Sequence, residues 1–231
     1  MSTSKNLIAM NNVYHTVGVS WDEKILKRRS MPQGIKITTQ SFDDYMKRYD
    51  NWENYFRDIS FLYDHIPNNI EGTFRYKDDT WDFMYAYFFR FSMIAAVSEK
   101  VKNILEELKV SKEEYVLKPI KVKEYEGPYY LMFVKIIPES ELLYSQTLFR
   151  NDYTKEVSRF ADNDGRLARS YHFYASDIYL HVKYKCRDII NLQYSSAFFF
   201  SQRLVDAFHE HDVKGCEIGS YDHKYKLNFT E

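Results

Sequence analysis

Cysteine, proline and glycine are all scarce in this chain, with 2, 5 and 7 residues among 231. Two cysteines, Cys186 and Cys216, cannot build the disulfide framework of a small secreted domain, so free thiols are expected. Few glycines leave little material for phosphate-cradling loops, and the sequence holds neither a Walker-type loop nor a nucleophile elbow. An excess of one charge is missing too. The 32 basic residues face 33 acidic ones, a formal net charge of -1, so no global field draws nucleic acid or an anionic membrane. The most apolar stretch, "FMYAYFFRFSMIAAV" at 83–97, is interrupted by Arg90 and falls short of the ~20 residues of a spanning helix, so no membrane span is expected. The opening "MSTSKNLIAMNNVYHTVGV" has no basic start followed by an unbroken apolar segment, and the expected location is the cytoplasm.

Aromatic residues are plentiful: 21 Tyr, 17 Phe and 3 Trp, within a hydrophobic share of 45% that can supply a sizeable core. Tyrosine joins an apolar body to a polar tip, which suits half-buried sheet positions and interface centres alike. Their spacing gives a coarse outline. Strand candidates at 13–19 and 35–38 precede a helix in which Phe42, Tyr45, Met46, Tyr49, Trp52, Tyr55, Phe56 and Ile59 recur every three or four residues. Ser41 is placed to cap it, with Asp43 and Asp44 in its first turn. The turn-rich "DHIPNNIEG" marks a boundary between an N-terminal α+β region, 1–70, and a second α+β domain, 71–231, unless the two form one continuous domain.

Further along, 74–96, with its apolar run "WDFMYAYFFRFSMIAA", fits a buried strand pair or a buried helix on periodicity, and its aromatic content favours strand. "SEKVKNILEELKV" puts Val101, Ile104, Leu105 and Leu108 on one helical face behind Ser98. "EYVLKPIKVKEYEGPYYLMFVKIIPES" reads as a hairpin, with Pro119 pushing its first strand towards a sheet edge. The polar stretch 142–170 reads as a loop or insertion. After it Ile178, Leu180, Val182, Tyr184 and Cys186 alternate with polar residues, a strand with Cys186 facing inward. Ser201 can cap a helix carrying Leu204, Val205 and Phe208 on one face. Gly215 turns the chain into "CEIG", and Tyr225, Leu227 and Phe229 alternate in a final edge strand. The fold class expected is α+β, mostly antiparallel sheet with amphipathic helices packed on it.

Two segments align without a gap when Ser98 is placed on Ser201: "VSEKVKNILEELKV" and "FSQRLVDAFHEHDV". Each follows an aromatic-rich run and precedes another strand, which predicts two similar strand-helix-strand units. The order of pieces, "VSEKVKNILEEL", "YVLKPIKV", "YYLMFVKII" and far downstream "FSQRLVDAFHEHDVKGCEI", resembles bacterial polymorphic-toxin immunity proteins of the immunity-eleven and immunity-forty-three types. Ser201, Arg203, Leu204, Gly215 and Glu217 match the family's typical ending, and Ser98 matches its first helix. The resemblance spans 95–137 and 198–218 and leaves out the N-terminal third. It implies a cytoplasmic protein without catalytic activity that binds and blocks one cognate toxin delivered by contact-dependent secretion.

The chemical alternatives are thin. In "HEHD" the two histidines, His209 and His211, stand two apart, whereas a helix presents zinc ligands at i and i+4. Cys216 is followed by Glu217, which raises a thiol pKa rather than lowering it. The carboxylate pairs Asp43–Asp44, Asp78–Asp79 and Glu106–Glu107 read as solvated faces. The basic loop with Lys24, Lys27, Arg28 and Arg29 lacks a recognition element for nucleic acid. No catalytic residue, metal or cofactor is assigned. For a toxin-binding surface the sequence nominates Trp52, Tyr55, Asp78, Asp79 and Trp81, aromatics beside acids that suit a basic partner. A small hydrolase or transferase with a non-motif active site, or a scaffold component, is the alternative.

Overall fold

Several strands of this chain are buried on both faces, and that decides how the layers stack. The computed structural model describes residues 13–22, 26, 30–48, 60–77, 80–86, 93–123, 125–193 and 197–231. In β4 (Phe83–Ala86), Phe83 packs into one core cluster while Met84 and Ala86 pack into another. In β13 (Phe198–Ser201), Phe198 and Phe200 face one cluster and Phe199 a third. Alternation of apolar with polar residues vanishes when both faces are covered, so "FMYA" and "FFFS" read as continuous runs.

The first layer is a closed six-stranded barrel in the order β2 (Gly34–Ile37), β3 (Ile70–Phe74), β6 (Tyr115–Val122), β7 (Tyr129–Val134), β5 (Met93–Ser98) and β4. One cluster unites Ile35, Ile70, Leu131 and Phe133 of these strands with Phe42, Tyr45 and Met46 of α1 (Gln40–Arg48). The second layer is a five-stranded sheet in the order β14 (Cys216–Ile218), β1 (Tyr14–Val19), β13, β12 (Ile189–Leu192) and β8 (Ile136–Ile137). Barrel and sheet share a core cluster that also takes in α2 (Glu99–Glu107) and α4 (Gln202–Glu210). The third layer, in the order β10 (Val157–Ser158), β9 (Leu148–Asn151), β11 (Phe173–His181) and β15 (Lys226–Thr230), shares the remaining cluster with the second sheet. Phe208 joins elements: its ring lies 6.5 Å from that of Phe83 and 5.6 Å from that of Phe200, so α4 meets barrel and sheet at one side chain. Truncating a buried Phe of this kind costs about 3–5 kcal/mol.

The α+β class and the hairpin β6–β7 match the sequence reading, and the sheets are mixed. Parallel pairings join β2 to β4, β3 to β6, β8 to β12 and β11 to β15. The N-terminal strands pair along the whole chain, β1 with β13 and β14 and β2 with β3 and β4, an arrangement that the alternative of one continuous domain allows. Other expectations are corrected. The β6 strand is interior rather than an edge: Pro119 stands opposite Tyr130 of β7, and the ladder with β3 begins one residue later, at Ile120. The stretch 142–170 is no loop: it carries β9, β10 and α3 (Asn163–Arg169), capped by the Asp162 side chain on Gly165 N–H at 2.8 Å. The strand predicted through residue 186 stops at His181 and gives way to a 3-10 turn, leaving Cys186 exposed. The aromatic helix is seen as α1, and residues 49–59 lie outside the described residues. The tail strand β15 forms as expected, with Leu227 and Phe229 packed on the third cluster. No helix among the described residues is long and apolar enough to cross a membrane.

Gly215 is the turn on which the α4 exit depends. Its φ is +88°, and a Cβ there would stand 2.3 Å from the Phe83 carbonyl oxygen and 2.7 Å from the Trp81 ring. At Gly18 in β1 a Cβ would meet nothing within 4 Å. In urea unfolding, Gly215→Ala is therefore expected to lose about 2 kcal/mol or more. Gly18→Ala is expected to stay within about 0.5 kcal/mol of the parent or gain slightly.

Candidate partner-binding surface

The motif residues converge on two aspartates that the sequence reading did not single out. Asp188, immediately before β12, takes the Ser201 hydroxyl at 2.6 Å and the Arg203 Nε at 2.7 Å, with Arg203 Nη2 on its other oxygen. Asp82, immediately before β4, takes the Ser98 hydroxyl at 2.8 Å and the Lys100 Nζ at 2.8 Å. In each case the serine N–H also donates to the aspartate carbonyl, at 2.8 Å for Ser201 and 2.9 Å for Ser98. A legible signal existed: "DFMYA" and "DIINL" both set an aspartate directly ahead of a short apolar run. A buried carboxylate survives only with such partners.

The helices leave their nodes alike. After α2, Val110 N–H returns to the Leu105 carbonyl at 2.9 Å and Lys109 has φ of 54°. After α4, Val213 N–H returns to the Phe208 carbonyl at 2.9 Å and Asp212 has φ of 47°. Both are Schellman-type endings with a left-handed residue at the same place. The bonds then cross over. The segment after α2 supplies Glu114, whose Oε2 accepts Asp188 and Ile189 N–H, each at 2.9 Å. The segment after α4 supplies the Lys214 carbonyl, which accepts Asp82 N–H at 3.1 Å and Phe83 N–H at 2.9 Å. Burial, with the Asp188 charge adding to it, pushes the Glu114 carboxyl up to about 7 against the two N–H bonds that oppose it. Only 4% exposed, Glu114 is a joint between segments and out of reach of a substrate.

The nominated surface does not assemble. Trp52, Tyr55, Asp78 and Asp79 lie outside the described residues. Trp81 is 3% exposed within the barrel cluster, and its carbonyl accepts the Tyr129 hydroxyl at 3.1 Å, so its ring is core rather than a surface anchor. Of the motif residues, Leu204 is fully buried, and Ser201 also caps α4 through Leu204 N–H at 3.4 Å. Ser98 makes no such cap, its hydroxyl being spent on Asp82. His209 and His211 are exposed at the α4 exit, and among the described residues no group of three or more His, Cys, Asp or Glu is placed to hold a metal ion. Burial, then the neighbouring Glu217, pushes the Cys216 thiol well above its ordinary range.

Exposed aromatic surface appears instead at the β1–β14 side of the second sheet. A groove of about 290 Å³ is lined by Gly18, Trp21, Tyr85, Phe198, Glu217 and Tyr221 among others. Trp21 is 51% exposed and Tyr221 53%. Glu217 binds the rim together, accepting Trp21 N–H at 3.1 Å and the Ser220 hydroxyl. The turn carrying Tyr221 is fastened to β1 by Asp222, which accepts Thr16 N–H at 2.6 Å and Thr16 Oγ1 at 2.9 Å and faces His15 Nδ1 at 2.7 Å. Gln202 donates to Asp206 at 2.8 Å, which turns its Oε1 towards His15 Nε2, also at 2.8 Å. An acceptor facing each ring nitrogen favours the imidazolium of His15. Burial alone would lower its pKa, but the bonds to Gln202 and Asp222 and the charges of Asp222 and Asp206 outweigh it, and the net direction is up.

Two measurements test this architecture. Arg203→Ala leaves the buried Asp188 carboxylate short of its cation and is expected to cost about 3 kcal/mol in urea unfolding. Lys100→Ala, at a more exposed pair whose Asp82 keeps Ser98 and the Lys214 N–H, is expected to cost less than about 1 kcal/mol. Because the folded pKa of His15 is raised, its stabilising effect is complete below the ordinary histidine value of about 6.5 and is lost as pH rises through the folded value. The thermal midpoint should therefore fall more between pH 6 and about 8 for the parent than for His15→Asn, and parallel curves would refute the clamp. Compared with protein-family models and with curated proteins the chain has no match, so its activity is read from this geometry.

Proposed function

We propose that this chain is an immunity-type inhibitor that binds a cognate toxin in the cytoplasm and blocks it without catalysing a reaction. One observation supports the reading: the residues on which the resemblance to immunity proteins rests are spent on the frame. Ser98, Ser201 and Arg203 hold aspartates at strand starts, and Gly215 makes a turn against Phe83. A preformed frame with half-exposed Trp21 and Tyr221 beside an open groove is what a tight inhibitor needs, since aromatic anchors on a rigid surface lose little entropy on binding. The common nodes, helix exits and crossed bonds also support reading 82–110 and 188–213 as two copies of one unit that brace each other.

Co-expression with the toxic product of an adjacent gene tests the reading. The expected outcome is a stoichiometric complex on purification and survival of the cells. Toxicity that this chain neither relieves nor binds overturns it.

A further inference from the structure

We infer that the groove at the β1–β14 side of the second sheet receives an arginine side chain of the protein this chain binds, an inference that rests on the inhibitor reading. Glu217 is the only charged residue among the described residues lining the groove. In the ladder it stands directly opposite Gly18, and side chains at opposed positions of an antiparallel pair share a face. Gly18 contributes no side chain, and a Cβ there would meet nothing within 4 Å, so the space flanking the carboxylate is open. Glu217 spends one acceptor site on Trp21 N–H and one on Ser220, and a carboxylate offers about four.

The walls suit the rest of such a side chain. Val17, Val19 and Phe198 belong to the core cluster shared by barrel and sheet and close the floor of the groove, and Trp21, Tyr85 and Tyr221 offer ring faces to a planar guanidinium. Two of those rings already attract cations of this chain: the Arg75 guanidinium lies 5.2 Å from the Tyr85 centroid and the Lys224 ammonium 4.9 Å from that of Tyr221. Carboxylate, aromatic faces and apolar wall in one slot select a cationic side chain over a neutral one of equal shape.

The test follows the Trp21 backbone amide, which donates to Glu217, by nuclear magnetic resonance of the full chain during titration with N-acetyl-arginine amide, with N-acetyl-citrulline amide as the neutral isostere. Saturable shifts are expected with the arginine compound, at least tenfold weaker binding in Glu217→Gln, and none in Gly18→Val, which fills the groove. Equal shifts with citrulline, or titrations unchanged in both variants, overturn the inference. A parent chain that captures its toxin yet shows no arginine-dependent shift overturns this inference alone. One that binds the arginine compound but relieves no toxicity overturns the inhibitor reading alone.

Discussion

The fold depends on keeping one buried carboxylate satisfied. Asp188 stands at the start of β12 with its side chain almost wholly removed from water, and isolating a charge there costs several kcal/mol. Its charge is met by Ser201 from the end of β13 and Arg203 from the first turn of α4, while Glu114, from the segment after α2, accepts the backbone N–H groups of Asp188 and Ile189. Satisfying the charge therefore ties strand to helix, and the backbone bonds at the same place add the exit of the other helix. Asp82 repeats the arrangement with weaker parts, a lysine for an arginine and a more exposed setting. The two nodes are coupled because each helix's exit segment bonds to the strand start of the other node.

This bracing explains why the motif residues are poor in chemistry. A hydroxyl, a guanidinium and a glycine follow one another in the sequence from 201 to 215. In three dimensions each is consumed: Ser201 as cap and donor, Arg203 as counter-ion, Gly215 as the left-handed residue that lets the chain pass the Phe83 carbonyl. The aromatic groove at the β1–β14 side is peripheral to this bracing. Its rim is held by Glu217 and its turn is clamped by His15 and Asp222. Glu114 and His15 both favour the protonated state in the fold, so both make the protein more stable on the acid side of neutrality.

The amino-acid sequence by itself determined the local elements whose period is unmistakable. The α2 and α4 helices follow from apolar residues every three or four positions, the β6–β7 hairpin from Gly127–Pro128 between β-rich runs, and the Gly215 turn from a glycine beyond a helix end. The gapless alignment of Ser98 with Ser201 was legible too, and each of these hydroxyls bonds an aspartate at a strand start. Tertiary structure decided the rest. Trp81 reads as an anchor beside acids and is core, since burial depends on what packs against it. Residues 142–170 read as a loop because β9 and β10 are short and gain their order from pairing with β11 and with each other, which no local pattern encodes. Asp82 meets Ser98 and Lys100 16 and 18 residues away, Asp188 meets Ser201 and Arg203 13 and 15 residues away, and the groove joins β1 to a turn about 200 positions downstream. Period reveals which face of an element is apolar, whereas a site made by long-range pairing exists only once the layers have closed on one another.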